Sequence, residues 1–145
     1  MKKTIIALLL GLSFVVGCGG ALGPAYTPAT ATADRGTVYI YRPHQLRRSA
    51  VNFLLTASDA GQIDAKTATV IGYIEDNGYV PITAVGKLRV TAKQTQSSVD
   101  LDVEPGKNYF IRFAGHEATI AQVDEAKAAS EIGDTKLQLD LWRGR

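Results

Sequence analysis

The residues that could do chemistry in this chain of 145 residues are few, and their spacing favours no metal centre. His44 and His116 are the histidines, and Asp64, Glu117 and Asp124 are the acidic residues that could share a metal with them. A metal site needs three or more convergent ligands, and the two histidines show no close ligand spacing. His116 and Glu117 are adjacent, so on a strand their side chains would point to opposite faces. We therefore expect no metal and no cofactor.

Nucleophilic and acid–base catalysis find equally little support. No Gly-x-Ser-x-Gly elbow or Ser-x-x-Lys arrangement surrounds Ser49, Ser58, Ser97, Ser98 or Ser130. Asp100, Asp102 and Glu104 fall on one outward face of a predicted strand, as paired glycosidase carboxylates would. The strand register described below gives at least two of them cationic neighbours, which is typical of ordinary sheet electrostatics. We expect no catalytic residue.

The single cysteine, Cys18, ends an N-terminal stretch with the features of a targeting signal. Lys2 and Lys3 form a basic region, and residues 5–16 form an apolar run of about 12 residues. That run is shorter than the roughly 18 to 20 residues that span hydrocarbon as a helix. The sequence Val15-Val16-Gly17-Cys18 resembles the lipobox of bacterial lipoprotein signal peptides.

The lipobox resemblance implies a membrane address. It implies cleavage before Cys18, with residues 1–17 as the signal peptide, and a thioether-linked diacylglycerol on the Cys18 thiol, with palmitate as the acyl group. One acyl chain holds a protein marginally, whereas two or three anchor it firmly. Asp after the lipidated cysteine marks inner-membrane lipoproteins, so Gly19 favours the periplasmic face of an outer membrane. The alternatives are an ordinary secretory signal in which Cys18 is incidental, and a short buried helix.

Composition predicts one neutral domain on a tether. The chain has 16 basic and 14 acidic residues, and residues 1–17 contain two lysines and no acid, so the mature chain has 14 of each. Zero net charge argues against a nucleic-acid partner. With Cys18 lipidated, no thiol remains for a disulfide. Residues 18–34 are rich in small residues, Pro and Thr, and predict a flexible tether whose ends lie about 20 Å apart.

The one basic cluster, Arg42-Pro-His-Gln-Leu-Arg-Arg48, could contact an anionic ligand. Arg42, Arg47 and Arg48 carry guanidinium groups, which pair bidentately with phosphate and carboxylate. The ligand would then be lipid A, an anionic phospholipid or peptidoglycan. The favoured alternative is a solvated loop after the first strand, because no aromatic residues are interleaved with the arginines.

Residues 35–145 read as a domain of short strands. Strand propensity is high over residues 37–41, 51–55, 68–74, 79–84 and 137–141. Asp76-Asn77-Gly78 is a turn signal, and Asp124 and Gly133 bracket a short predicted helix. The fold class is therefore predicted as all-β, an antiparallel β-sandwich of about 7–9 short strands with one short helix near the C-terminus. Tyr39, Tyr41, Tyr73 and Tyr79 could line an aromatic groove for a glycan or peptide. The favoured alternative is that they complete the second face of the sandwich.

The best internal evidence for a sheet is a hairpin across residues 87–104. A tight turn at Thr95 and Gln96 pairs Leu88 with Val103 and Arg89 with Asp102, so inward pairs are apolar and two outward pairs are oppositely charged. The turn residues are not of the Asn-Gly type, so a loop longer than two residues is the alternative. A one-residue slip would turn the whole apolar set to water. Alternation over residues 109–113 predicts a third strand of the same meander.

Several landmarks, in order, resemble a known family. They are Arg-Gly-Thr-Val-Tyr-Ile-Tyr-Arg-Pro (35–43), Gly72-Tyr-Ile-Glu-Asp-Asn-Gly-Tyr79, Val103-Glu-Pro-Gly-Lys-Asn-Tyr-Phe-Ile-Arg112, and Val123-Asp-Glu-Ala with Lys136-Leu137. Together they resemble the small bacterial lipoproteins grouped as domain of unknown function 2846, whose motifs recur in PEGA-like sandwich modules. The chain departs from the pattern at residues 85–87 and in an extra segment near 59–67. The family has no assigned reaction, so the resemblance implies an envelope address and a β fold.

These predictions combine into a lipid-anchored cell-envelope lipoprotein with a non-catalytic binding or scaffolding β-sandwich domain. Its expected partners are the membrane, through the anchor, and an envelope protein, peptidoglycan or lipid A, with no nucleic acid. One alternative is an accessory subunit of an envelope complex that accepts partner strands at an exposed edge near Val51 to Leu55. The other is an enzyme acting on envelope polymers.

Overall fold

The computed structural model describes residues 21, 23–29, 32–45, 51–59 and 68–137, which form nine strands and one helix. The predicted signal peptide (1–17), Cys18, Arg47, Arg48 and the end of the last predicted strand lie outside the described residues. The strands are β1 (Gly36–Arg42), β2 (Phe53–Asp59), β3 (Thr69–Ile74), β4 (Gly78–Ala84), β5 (Gly86–Ala92), β6 (Ser97–Val103), β7 (Asn108–Ala114), β8 (Thr119–Val123) and β9 (Lys136–Leu137), and the helix is α1 (Glu125–Ile132).

The strands form two sheets that share one core, which confirms the predicted all-β sandwich with a short helix near the C-terminus. One sheet has the order β8-β7-β1-β4-β9 and the other β3-β2-β5-β6. The second sheet is antiparallel throughout, whereas β1 pairs with β7, and β4 with β9, in parallel. The sandwich is therefore not purely antiparallel, because the chain spends β5 and β6 in the other sheet before β7 returns beside β1.

Strand β1 is buried on both faces and lies at the centre of the five-stranded sheet. Val38 and Ile40 face the core between the sheets. Tyr39 and Tyr41 face the other way and pack with Ala128 and Ile132 of α1, among others. A strand covered on both sides reads as a nearly continuous apolar run, and residues 37–41 read in that way. These tyrosines therefore complete a second, helix-covered core, whereas Tyr73 on β3 is exposed.

The segment predicted to be a free tether lies against the domain where it is described. Ala21 is buried, and Ala25 forms an antiparallel bridge with Lys136. The Tyr26 ring packs edge-on against Tyr39 and Tyr79 at 5.2 and 5.5 Å between ring centroids. We call Ala21 with residues 23–29 the N-terminal strap. The flexible-tether prediction is wrong for these residues, because their backbone groups and Tyr26 find partners beside β9 that composition does not reveal.

The predicted hairpin exists with a different register. In β5–β6, Arg89 lies opposite Asp100 and Leu88 opposite Leu101, two residues from the predicted pairing. The reason is a four-residue loop, 93–96, with Gln96 at φ 59°, in place of a two-residue turn. A shift of two preserves which face each side chain occupies. The predicted meander is wrong, because β7 pairs with β1 and β8 in the other sheet.

The exposed edge expected near Val51 to Leu55 is also corrected. Strand β2 begins at Phe53 and lies between β3 and β5, so it is an interior strand. Among the described strands, β3 and β6 are the edges of the four-stranded sheet, and β8 and the two-residue β9 are the edges of the five-stranded sheet. The prediction for β2 was wrong because an apolar run indicates that a strand is buried but does not indicate which neighbouring strands bury it.

Helix α1 begins as predicted, and a carboxylate fixes it to the sheet. Asp124 is the N-cap and accepts a hydrogen bond from the Lys127 amide at 2.8 Å, while Gly133 follows the helix in the right-handed region. Glu131 accepts hydrogen bonds from the Tyr41 hydroxyl at 2.8 Å and from Arg112 Nε at 2.8 Å. Lys127 Nζ also donates to it, at 3.1 Å.

The surroundings of Tyr41 and Glu131 shift the pKa values of these two groups in opposite directions. Burial raises the pKa of Tyr41 most, and the hydrogen bond to Glu131 adds to the rise. Burial alone would raise the pKa of Glu131 as well, but the hydrogen bonds from Tyr41, Lys127 and Arg112 outweigh it and lower that pKa below 4.5. The ionised carboxylate is therefore the form that holds α1 on the sheet.

We predict that Glu131→Gln lowers the free energy of unfolding by about 1 kcal/mol at pH 7, since hydrogen bonds to charged groups are the stronger ones. Because the folded pKa of Glu131 is depressed, its contribution is present above the ordinary pKa and is lost as pH falls through the folded value. The difference between the two proteins should therefore shrink below about pH 4.5. Urea denaturation followed by circular dichroism between pH 7 and pH 3 measures it, and a constant difference would contradict the role of Glu131.

Candidate functional site

One end of the sandwich collects the ends of β1, β3, β5 and β7 and the starts of β2, β4, β6 and β8. Strand pairing shows this, because Arg42 lies opposite Gly78 and Phe53 opposite Ile74. Arg42 joins the two sheets there, since its Nη1 donates to the carbonyl oxygen of Val51 at 2.6 Å. We call this the Asp76 end and define it as residues 42–45, 51–52, 75–78 and 115–118.

Asp76 is the centre of this end. It follows β3 in the predicted Asp-Asn-Gly turn, where Asn77 takes the expected positive φ of 56°. The Asp76 side chain is 5% exposed, and its carboxylate lies 2.5 Å from His44 Nδ1 and accepts from the Gln45 amide at 3.0 Å. A buried carboxylate with several donors is held in one orientation. Asp76 therefore fixes the chain that leaves β1.

Arg42 lies inside the protein. Its side chain is fully buried, with the guanidinium 5.2 and 5.9 Å from the ring centroids of Phe53 and Phe113 and its Nε 3.8 Å from Asp76 Oδ1. Burial lowers the pKa of Arg42, and the Asp76 carboxylate partly opposes that shift. Arg42 was predicted to lie on the surface, as an anion contact or in a solvated loop. That is wrong, because Arg42 continues the inward-facing series of Val38 and Ile40 in β1.

The turn between β7 and β8 closes over Arg42. A Cβ on Gly115 would lie 2.8 Å from Arg42 Nε, so any larger residue there would displace the guanidinium. The His116 amide donates to Gln45 Oε1 at 3.0 Å. The loop after β1 is thus held by Asp76 on one side and by the β7–β8 turn on the other.

His44 is the accessible group of this site, with a side chain that is 57% exposed. When a carboxylate engages Nδ1 of an imidazole, the tautomer is fixed and Nε2 remains for an external partner. The exposed Nε2 of such a ring can form a hydrogen bond with a ligand or surface. The pairing of His44 with Asp76 was not predicted from the sequence. The one signal for it was that His44 lies two residues beyond Arg42, the last inward-facing residue of β1.

Two of the other candidate metal ligands, His116 and Glu117, also lie at this end, in the turn between β7 and β8. Asp124 caps α1 at the far end of β8, and Asp64 is outside the described residues. Within the described part of the chain, no group of three or more histidine, cysteine, aspartate or glutamate side chains could hold a metal. Asp100 is bound by Arg89 through two contacts of 2.6 and 2.7 Å, and Glu104 by Lys107 at 2.7 Å. Two of the three acids thus have cationic neighbours, as predicted, but the predicted pairs are wrong: Arg89 binds Asp100 in place of Asp102, and Glu104 is bound by Lys107 and not by Lys87.

Comparisons with known proteins add no relative. A scan against protein-family models finds no match, and searches of curated proteins and of solved structures find none either. The resemblance to the small lipoproteins of domain of unknown function 2846 therefore stays a prediction. Within the described residues, no helix is both long and apolar enough to cross a membrane.

We predict that Asp76→Asn lowers the free energy of unfolding by about 3 kcal/mol, because removing one partner of a buried pair leaves the other charge uncompensated. The matched control is Asp100→Asn, which disrupts the exposed pair with Arg89 and should change stability far less, since solvent screens it. Urea denaturation of both variants at pH 7 makes the comparison.

A double variant tests whether the loss of stability in Asp76→Asn comes from the uncompensated charge of Arg42 or from the changed shape of the side chain. Arg42→Met combined with Asp76→Asn removes both buried charges, so it should recover much of the stability that Asp76→Asn loses. Equal destabilisation by Asp76→Asn and Asp100→Asn would contradict a central role for the buried carboxylate.

Proposed function

We propose that this protein is a lipid-anchored lipoprotein of the bacterial cell envelope, whose β-sandwich acts as a non-catalytic binding or scaffolding module at the periplasmic face of the outer membrane. The observation that carries the proposal is the N-terminal sequence: two lysines, a short apolar run and Val15-Val16-Gly17-Cys18, followed by Gly19. Acyl chains on Cys18 supply the membrane affinity, at about 0.8 kcal/mol for each buried methylene.

The polar groups of the Asp76 end support a structural use over a catalytic one. Arg42 neutralises a buried carboxylate, Asp76 holds the loop after β1, and Gln45 receives the β7–β8 turn. A catalytic site would need such groups directed at a substrate. His44 is directed outward, and its most economical role is a contact with a ligand or surface beside this end.

The anchor is tested by Cys18→Ala. This variant should lose incorporation of labelled palmitate and leave the outer-membrane fraction, because no other thiol exists to be acylated. Ser98→Ala, at an exposed position of β6, is the matched control and should keep both properties. Metabolic labelling and sucrose-gradient fractionation give the two readouts. A Cys18→Ala protein that still carries palmitate would contradict the anchor.

A second candidate function is that of an accessory subunit, and one surface favours it. Strand β3 is a sheet edge among the described strands, and a groove of about 310 Å³ lies between it and β4. Val70 of β3 is 43% exposed at this groove. Apolar side chains line most of it, including Ile71, Val80, Ile82 and Leu88. We call it the β3–β4 groove, and its chemistry suits an extended apolar segment of an envelope protein added at the β3 edge.

We predict that Val70→Lys abolishes capture of such a partner, because a lysine on an edge strand opposes both strand addition and burial of apolar side chains. Val51→Lys is the matched control: Val51 is equally exposed, at 44%, but lies at the Asp76 end. Cross-linking in intact envelopes followed by mass spectrometry compares the two variants. If both variants capture the same partner as the unchanged protein, the groove is not its binding site.

A further inference from the structure

The N-terminal strap is fixed to the domain from its first described residue. The Ala21 amide donates to the carbonyl oxygen of Asp76 at 3.3 Å, and the Gly23 amide donates to that of Leu137 at 3.1 Å. The Leu137 amide donates back to the carbonyl oxygen of Pro24 at 2.8 Å. The strap thus behaves as an added strand beside β9, and its first residue is held at the Asp76 end.

The strap fits its groove closely at two points. A Cβ on Gly23 would overlap the carbonyl oxygen of Leu137 and lie 2.8 Å from its Cβ, so the chain can approach this near only as glycine. Tyr26 packs edge-on against Tyr39 and Tyr79, and its amide donates to the carbonyl oxygen of Thr135 at 3.0 Å. Aromatic packing and backbone pairing at separate positions resist detachment of the whole segment.

Cys18 is close in sequence to the strap. Cys18 precedes Ala21 by three residues, and three fully extended residues reach at most about 11 Å. A flexible tether of 17 residues would instead place its ends on the order of 20 Å apart and let the domain rotate freely. With the strap docked, the acylated thiol cannot lie far from the Asp76 end.

We infer that the Asp76 end is the membrane-facing surface of the domain, and that its partner is the phospholipid headgroup layer of the bilayer that holds the anchor. The inference rests on the proposed function, because it needs acyl chains on Cys18. The exposed imidazole of His44 lies on this surface. A reach of about 11 Å from Ala21 keeps this end close to the headgroup layer in which the acylated thiol is held.

The opposite end of the sandwich, defined by residues 84–86 and 104–107, is then directed away from the bilayer. β1 has seven residues, and at about 3.3 Å each the two ends are separated by roughly 20 Å. Val85, 61% exposed, marks the distal end. Asn52, an exposed residue next to Val51, marks the Asp76 end. The two positions give a pair of reporters that are both exposed.

The test uses the full acylated protein in vesicles of phosphatidylethanolamine and phosphatidylglycerol, with a nitroxide on the headgroup of some lipids. Asn52→Cys and Val85→Cys are made separately and labelled with the same fluorophore. Acylated Cys18 has no free thiol, so the introduced cysteine alone reacts. We expect headgroup quenching several-fold stronger at position 52 than at position 85. Equal quenching at the two positions overturns the inference.

A second measurement tests whether the strap sets the orientation. Gly23→Ala should displace the strap from Leu137 and reduce the difference in quenching between the two positions. Gly133→Ala is the matched control, since a Cβ there meets nothing within 4 Å and the residue has helical φ and ψ, so the difference should persist. A Gly23→Ala protein that keeps the full difference overturns the strap as its cause.

The outcomes also separate this inference from the proposal on which it rests. Mass spectrometry of the purified chain reports its acyl groups, and flotation reports vesicle binding. A chain without acyl groups overturns the anchor and, with it, the orientation. A chain that is acylated and bound, yet quenched equally at both positions, overturns the orientation alone and leaves the anchor supported.

Discussion

A single buried carboxylate, Asp76, joins four parts of the chain at one end of the sandwich. Its side chain holds His44 and Gln45 and lies beside the buried guanidinium of Arg42. Arg42 in turn binds the start of β2 through the carbonyl oxygen of Val51, and the backbone of Asp76 receives Ala21 of the N-terminal strap. The two sheets, the loop after β1 and the N-terminal strap are therefore aligned around one residue.

The physical chemistry of Arg42 explains why this arrangement is sensitive to change. Removing a guanidinium from water is costly, and a nearby carboxylate, backbone acceptors and two aromatic faces offset that cost. Lysine could not reproduce the planar contacts with Phe53 and Phe113, because its ammonium is a compact and strongly hydrated charge. Such a pair need not add net stability. It penalises arrangements in which the sheets slide relative to each other, since sliding would separate buried charges.

Local patterns in the sequence predicted much of the fold. β-Branched and aromatic runs located β1, β3 and β4 to within one or two residues, and Asp124 marked the start of α1. The faces of β5 and β6 were also predicted, because the two-residue period survives a register shift. The pairing of individual residues between β5 and β6 was not predicted. It depends on the length of the 93–96 loop, and residues 93–96 carry no signal for a two-residue turn.

Features that depend on distant partners could not be predicted. Ile111 and Phe113 would be buried in either sheet, so alternation in β7 could not reveal that it pairs with β1. Tyr26 sits in a stretch whose composition is that of a linker, and only the aromatic surface of Tyr39 and Tyr79 makes its docking favourable. The candidate site was missed for the same reason. His44 and Asp76 are 32 residues apart in sequence. They meet because the end of β1 pairs with the start of β4, and Asp76 lies two residues before β4.

The proposed anchor and the proposed partner groove constrain each other through the strap. The β3–β4 groove is lined by Ala57, Thr69 and Ala84, which lie toward the end of the sandwich opposite Asp76. If the Asp76 end faces the bilayer, the groove is presented away from the headgroups and toward the periplasm. A rigid attachment then does what a flexible tether cannot: it restricts the orientations of the groove before any partner arrives. For that reason, binding of a partner anchored in an opposing layer would lose less rotational entropy. Docking of the N-terminal strap would therefore favour such a partner without contacting the partner.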